Sequence, residues 1–219
     1  MLHAKLLAEF IGTFFLVFII GMIAFDPNFP PGMAPYAIAG VLAAMIYALG
    51  HVSGGHFNPA VTLVLTISGS SPRSHAGPYM VVQIFAAIVA GLISLWISSQ
   101  IQGAAIEVSP MELDILPTMF FEALFTFAMV LVILNVATAK AIEGNQFFGL
   151  AIGLVILVGV FVAGPVSGGA FNPAVTIALG VTGLADWSDV WMHFTGQLAG
   201  ACLATAAFTV MSSSAAEAD

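Results

Sequence analysis

The sequence predicts an all-α integral membrane protein of six transmembrane helices plus two half-helices, arranged as inverted three-span repeats. Three observations predict it. Apolar residues make up 60% of the chain and charged residues only 6%, too few charges to cover a soluble domain of this length. Six apolar stretches, at about 6–25, 35–52, 77–98, 116–137, 147–164 and 191–211, each approach the roughly 20 residues that a spanning helix needs. One motif occurs twice: Phe57-Asn58-Pro59-Ala60-Val61-Thr62 after Gly54-Gly55, and Phe171-Asn172-Pro173-Ala174-Val175-Thr176 after Gly168-Gly169.

Each motif reads as a helix start. Asn is a preferred N-cap, and proline suits the first turn, where its missing N–H would be unpaired anyway. The apolar runs that follow, 61–67 and 175–181, give only about two turns. At roughly 1.5 Å per residue they cannot cross a core of about 30 Å. Each is therefore expected to enter the bilayer partway, with its asparagine at depth. Non-helical backbone at that depth is tolerated where protein buries it or where it lines a wet cavity. Two such half-helices imply one shared cavity.

The duplication extends beyond the motif. Glu9-x-x-x-Thr13 in the first span matches Glu122-x-x-x-Thr126 in the fourth. Gln83 follows Asn58 by 25 positions, as Gln197 follows Asn172. The repeats cover about 1–105 and 106–219 of a single domain. Three full spans per repeat is an odd number, so the second copy must be inverted. Inverted repeats place their shared site near the bilayer midplane.

The connecting segments are 26–32, 99–115, 140–146 and 184–189, with Pro72-Arg73-Ser74-His75 after the first half-helix. The tail 212–219 is small and polar and is expected to lack structure. The N-terminal apolar stretch has spanning length and no small-residue cleavage site, so it reads as a span rather than a signal peptide. Lys5, Arg73 and Lys140 are the only Lys and Arg residues. Six spans with a cytoplasmic N-terminus put all three, and both termini, in the cytoplasm, as the positive-inside rule requires. The expected location is the cell membrane. Asp26, Glu107, Glu112, Asp114, Asp186 and Asp189 then form a solvated outer face. The net charge of −8 offers no basic footprint for nucleic acid. One cysteine, Cys202, excludes an intramolecular disulfide framework and a Cys-based metal site. No cofactor or metal is expected.

The paired motifs, with Ala8-Glu9-Phe10-x-Gly12-Thr13, Gly50-His51-Val52-Ser53 before Gly54-Gly55-His56, and Gly164-Pro165 before the second copy, resemble the major intrinsic protein family of aquaporins and aquaglyceroporins. The resemblance covers nearly the whole chain. It implies an aquaporin-like fold in which 1–219 form one membrane channel domain, half-helices meeting at the midplane, and a homotetramer with one pore per subunit. Two facing helix N-termini concentrate positive dipole at the centre and oppose permeating cations. The amides of Asn58 and Asn172 can donate to a passing oxygen, beside their capping role. Glu9 and Glu122 lie at membrane depth, normally a sign of function. Their matched places favour a supporting role, each accepting hydrogen bonds from the irregular backbone before its half-helix. Gln83 and Gln197 are expected to bond within the bundle. By resemblance His56 flanks the cytoplasmic half of the pore, although a satisfied buried histidine fits its pattern equally; His51 carries a weaker signal.

Aligned on the family, the outer selectivity ring falls at Ile38, Val160, Gly169 and Val175. Relatives usually carry Arg directly after the second Asn-Pro-Ala, where Val175 stands. The ring is thus aliphatic and uncharged. Thr176 replaces the acidic residue that marks many glycerol facilitators, and Phe194 leans toward the water-channel branch. The leading functional reading is a passive channel for water, with small neutral solutes as candidates. An alternative is an aquaglyceroporin-type facilitator of glycerol, urea, ammonia or hydrogen peroxide. Different classes are a coupled secondary transporter, which needs a titratable group in its path, and a non-conducting adhesion protein. No nucleophile–base pair or metal-ligand spacing suggests an enzyme.

Overall fold

The computed structural model describes residues 1–216, and among them it contains helices and no strands. The order is α1 (Leu2–Ala24), α2 (Ala34–Ser53), α3 (Pro59–Ile67), α4 (Arg73–Gln102), α5 (Ile115–Ile133), α6 (Phe148–Ser167), α7 (Pro173–Thr182) and α8 (Val190–Ala216). Six of these are long and apolar enough to cross a membrane. The other two, α3 of 9 residues and α7 of 10, are the half-helices, roughly 15 Å long at 1.5 Å per residue.

The ends follow from local chemistry. Gly54 closes α2 at φ 99° and Gly168 closes α6 at φ 79°, the left-handed C-cap that glycine adopts without Cβ strain. Proline stands at the first turn of both half-helices. Two elements differ from the sequence expectation. Arg73-Ser74-His75 belongs to α4, which Pro72 initiates from an extended backbone. The tail is helical as far as Ala216, because 212–216 contain no glycine or proline to stop α8. Residues 217–219 lie outside the described residues.

Packing repeats with the sequence. α1 packs on α2 and α4 as α5 packs on α6 and α8. Each half-helix crosses over: α7 rests on α4 of the first repeat, and α3 touches α8 of the second. Close approach rests on small residues, as is usual between helices in lipid. A Cβ added at Gly200 would stand 2.2 Å from the carbonyl oxygen of Ala123 on α5. After α5 the chain relaxes into a π turn (Leu134–Thr138) and a short 3₁₀ turn (Lys140–Ile142). The core residues gather around the two half-helices.

Candidate functional site

Each motif asparagine has extended backbone, φ −157° at Asn58 and −154° at Asn172, and caps its half-helix. Oδ1 of Asn58 accepts from the backbone N–H of Ala60 at 2.8 Å and of Val61 at 3.4 Å. Oδ1 of Asn172 accepts from Ala174 at 2.9 Å. The side-chain amides cross between repeats. Nδ2 of Asn58 donates to the carbonyl of Phe171 at 3.0 Å, and Nδ2 of Asn172 donates to the carbonyl of Phe57 at 2.9 Å. An amide carries two N–H donors. One ties the half-helices together, and the other remains for the cavity that both asparagines line.

The loops before the motifs hang on the two buried glutamates. Glu9 Oε1 accepts from Ser53 Oγ at 2.6 Å and from the His56 N–H at 3.0 Å; Oε2 accepts from the Phe57 N–H at 2.7 Å and Gln83 Nε2 at 2.8 Å. Glu122 accepts the same four from Ser167 (2.8 Å), Ala170 (3.0 Å), Phe171 (2.8 Å) and Gln197 (2.8 Å). Both carboxylates are fully buried, and four donors each replace the water they have lost. Gln83 and Gln197 reach further, to the hydroxyls of Thr62 at 3.0 Å and Thr176 at 2.9 Å. Phe57 and Phe171 are the only non-glycine residues with positive φ among those described, at 48° and 46°. Such strain costs about 1–3 kcal/mol. It is held by the carboxylates and by packing of the Phe57 ring against Gly12 and the Phe171 ring against Gly159.

The cavity occupies about 680 Å³ and draws on both repeats. One wall is aliphatic, with Ile38, Leu42, Ile46, Ile152, Ile156 and Val175. The other is the backbone of 54–58 and 168–172. One end is lined by His51, Ser70, Lys140, Glu143 and Asn145. His56 also lines it; its Nδ1 lies 3.1 Å from Thr62 Oγ1, and its ring sits edge-on to Tyr79. Of the four ring positions, Ile38, Gly169 and Val175 line the cavity. Val160 packs against Gly169, where an added Cβ would meet the Val160 Cα at 3.4 Å. Cys202 is exposed on α8.

Comparison with known proteins places this geometry. The family model described as Major intrinsic protein matches residues 2–208. The chain belongs to the major intrinsic protein family. It is 35% identical over 211 residues to Aquaporin NIP1-4 of Oryza sativa subsp. japonica, covering 94% of this chain and 76% of that one. It is 31% identical over 208 residues to Nodulin-26 of Glycine max, covering 90% and 73%. An X-ray structure of the aquaglyceroporin from Plasmodium falciparum superposes with a TM-score of 0.78 at 19% identity, covering 94% of each chain; at that identity it speaks for the fold. As a member of this family the protein is a multi-pass, passive membrane channel and not an enzyme.

Sequence reasoning missed four parts of the site. Ser53 and Ser167 complete the glutamate cradles and also accept from Gly55 at 3.1 Å and Gly169 at 3.2 Å. Both precede a Gly-Gly pair, a signal that could have found them. Tyr79 donates its hydroxyl to the Ser53 carbonyl at 2.8 Å, and His193 Nε2 contacts the Ser167 carbonyl at 2.8 Å. Each follows its asparagine by 21 positions, but the unlike residue types hide the match.

Proposed function

We propose that water and small neutral solutes cross the bilayer through this cavity, passing the crossed pair Asn58 and Asn172. The observation that carries the reading is that both half-helix starts, with both capping asparagines, face one cavity. Two N-terminal dipoles, each equivalent to roughly half a positive charge, oppose cations there. The second N–H of each amide orients a passing oxygen, so that a water donates its hydrogens away from the centre. Coupled transport finds no support at the glutamates, because each carboxylate is committed to four donors.

Solute range rests on the outer ring. Ile38, Val160 and Val175 give it apolar walls and Gly169 gives it backbone; Ile38, Gly169 and Val175 line the cavity, and Val160 packs against Gly169. An apolar wall gives water nothing to bond. A carbon skeleton gains roughly 25 cal/mol per Å² of apolar area that it buries. Small neutral solutes therefore pass beside water, and proton exclusion falls mainly to the half-helix dipoles. Both termini are cytoplasmic, since that topology gathers Lys5, Arg73 and Lys140 on one side. The working assembly is a homotetramer in the cell membrane, by family likeness.

The test is Val175→Arg, which places a cation and a fork of donors in the ring. Neutral-solute flux falls more than water flux in proteoliposomes matched for protein density. The reading is overturned if the wild type passes only water and the substitution leaves the flux ratio unchanged.

A further inference from the structure

A second cavity, of about 540 Å³, lies outside the channel. It is bounded by the last turns of α1 and α4, the first turn of α2 and the loop 26–29, through Ile19, Met22, Ile23, Phe29, Ala37 and Ile101, with Asp26, Asn28, Ser98 and Gln102 as polar members. No residue lines both cavities. The two are back to back: Ile19 and Ala37 face this one while their neighbours Ile20 and Ile38 face the channel. Its volume falls within the roughly 300–1,000 Å³ of sites that hold small organic ligands.

Its surroundings say what can fill it. Ile101, which lines it, is exposed on α4, a helix long and apolar enough to cross a membrane. Asp26 carries a carboxylate at its rim. Oδ1 accepts from the Asn28 N–H at 2.9 Å, and Oδ2 has no partner among the described residues. All three Lys and Arg residues lie at the opposite helix ends: Lys5 and Arg73 at the starts of α1 and α4, Lys140 after α5. No basic side chain is near enough to pair with Asp26, so the rim carries an uncompensated negative charge that favours a cationic group on the occupant. Ser98 is buried with its hydroxyl 3.7 Å from the Met22 sulfur, a weak acceptor that leaves most of its hydrogen-bonding capacity for something else.

We propose that this cavity is a binding site for one phospholipid of the adjacent leaflet whose headgroup ends in an ammonium. One acyl chain lies against Ile19, Met22, Ile23 and Ile101. The ammonium meets Asp26, and the Asn28 amide at the rim donates to the phosphate. A primary ammonium offers three N–H donors, whereas a choline group offers charge alone and a glycerol headgroup neither. The order of preference is phosphatidylethanolamine, then phosphatidylcholine, then phosphatidylglycerol.

The test is native mass spectrometry of the full-length protein after detergent washing, with each of the three lipids alone and in competition. Phosphatidylethanolamine is retained over phosphatidylglycerol roughly fivefold, the effect of about one unit charge at a membrane interface. Asp26→Asn, at an exposed position that folding tolerates, removes that preference. Ala37→Leu fills the cavity and lowers retention of all three lipids. A photoactivatable phosphatidylethanolamine probe labels the 19–37 and 98–102 segments. Equal retention of the three lipids, a preference that survives Asp26→Asn, or labelling confined to other segments overturns the proposal. So does a cysteine at Ile101, in a Cys202→Ser background, that cross-links to a second copy of the chain and is shielded from the probe, since the occupant is then protein.

Discussion

The loops before the two half-helices hang from identical cradles but face the cavity with different groups. In both, one glutamate gathers a serine hydroxyl, two backbone N–H groups and a glutamine amide, within 0.2 Å of each other bond for bond. In the first loop His56 fills the place that Ala170 holds in the second. The His56 ring leans on Tyr79 and engages the Thr62 hydroxyl. In the second loop His193 stands where Tyr79 does, Thr176 turns to the Asn172 carbonyl at 3.2 Å, and Gln197 Oε1 has no partner among the described residues. The difference separates two demands. Holding a bent backbone at membrane depth needs all of its N–H groups satisfied, and that requirement is the same in both loops. Lining the passage leaves room for variation, because a side chain there answers to the solute.

The largest effect should come from breaking the shared part. Glu9→Ala and Glu122→Ala each strand four donors, at about 1–3 kcal/mol for every buried group left unpaired. Both variants should fail to yield monodisperse protein in mild detergent, to a similar degree. A well-folded Glu122→Ala beside an unfolded Glu9→Ala would end the equivalence of the two cradles.

Next come the crossed amides. Asn58→Leu and Asn172→Leu each remove a cap, costing about 1–2 kcal/mol of stability. Water flux per folded channel should fall at least about tenfold, equivalent to roughly 1.4 kcal/mol of lost solute contact. Unchanged flux in stopped-flow measurements would remove the asparagines from the conduction path.

Packing beneath the strained phenylalanines should give a graded result. A Cβ at Gly12 would stand 2.2 Å from the Phe57 ring, and one at Gly159 would stand 2.8 Å from the Phe171 ring. Overpacking of this kind costs about 1–3 kcal/mol. Thermal unfolding should place Gly12→Ala below Gly159→Ala, and the reverse order would mean that the first loop relaxes more easily than its geometry suggests.

The smallest effect tests the asymmetry itself. His56→Ala makes the first loop resemble the second. It removes one partner from Thr62, costing about 0.5–1.5 kcal/mol, and widens the cavity. Neutral-solute flux should rise relative to water flux while the fold survives. A fall in both would show that the imidazole is a structural strut.

The sequence by itself determined the class, the six spans, the duplication and the half-helices. Composition fixes the solvent, and an Asn-Pro start followed by too few apolar residues fixes a partial crossing. The two glutamates stand out in the sequence as carboxylates at depth beside an irregular backbone, and in the structure each accepts from four donors. Tertiary structure decided what depends on distance across the repeats. Nothing local in Asn58 says that its amide reaches the Phe171 carbonyl, 113 residues away. Ser53 and Ser167 look like ordinary small residues until a glutamate from another helix approaches them. Val160 is a ring residue by position, and only the fold brings its backbone to Gly169, where an added Cβ would meet the Val160 Cα at 3.4 Å. Tyr79 and His193 share one task with unlike chemistry, since a buried carbonyl asks only for a donor at the right place and accepts either kind.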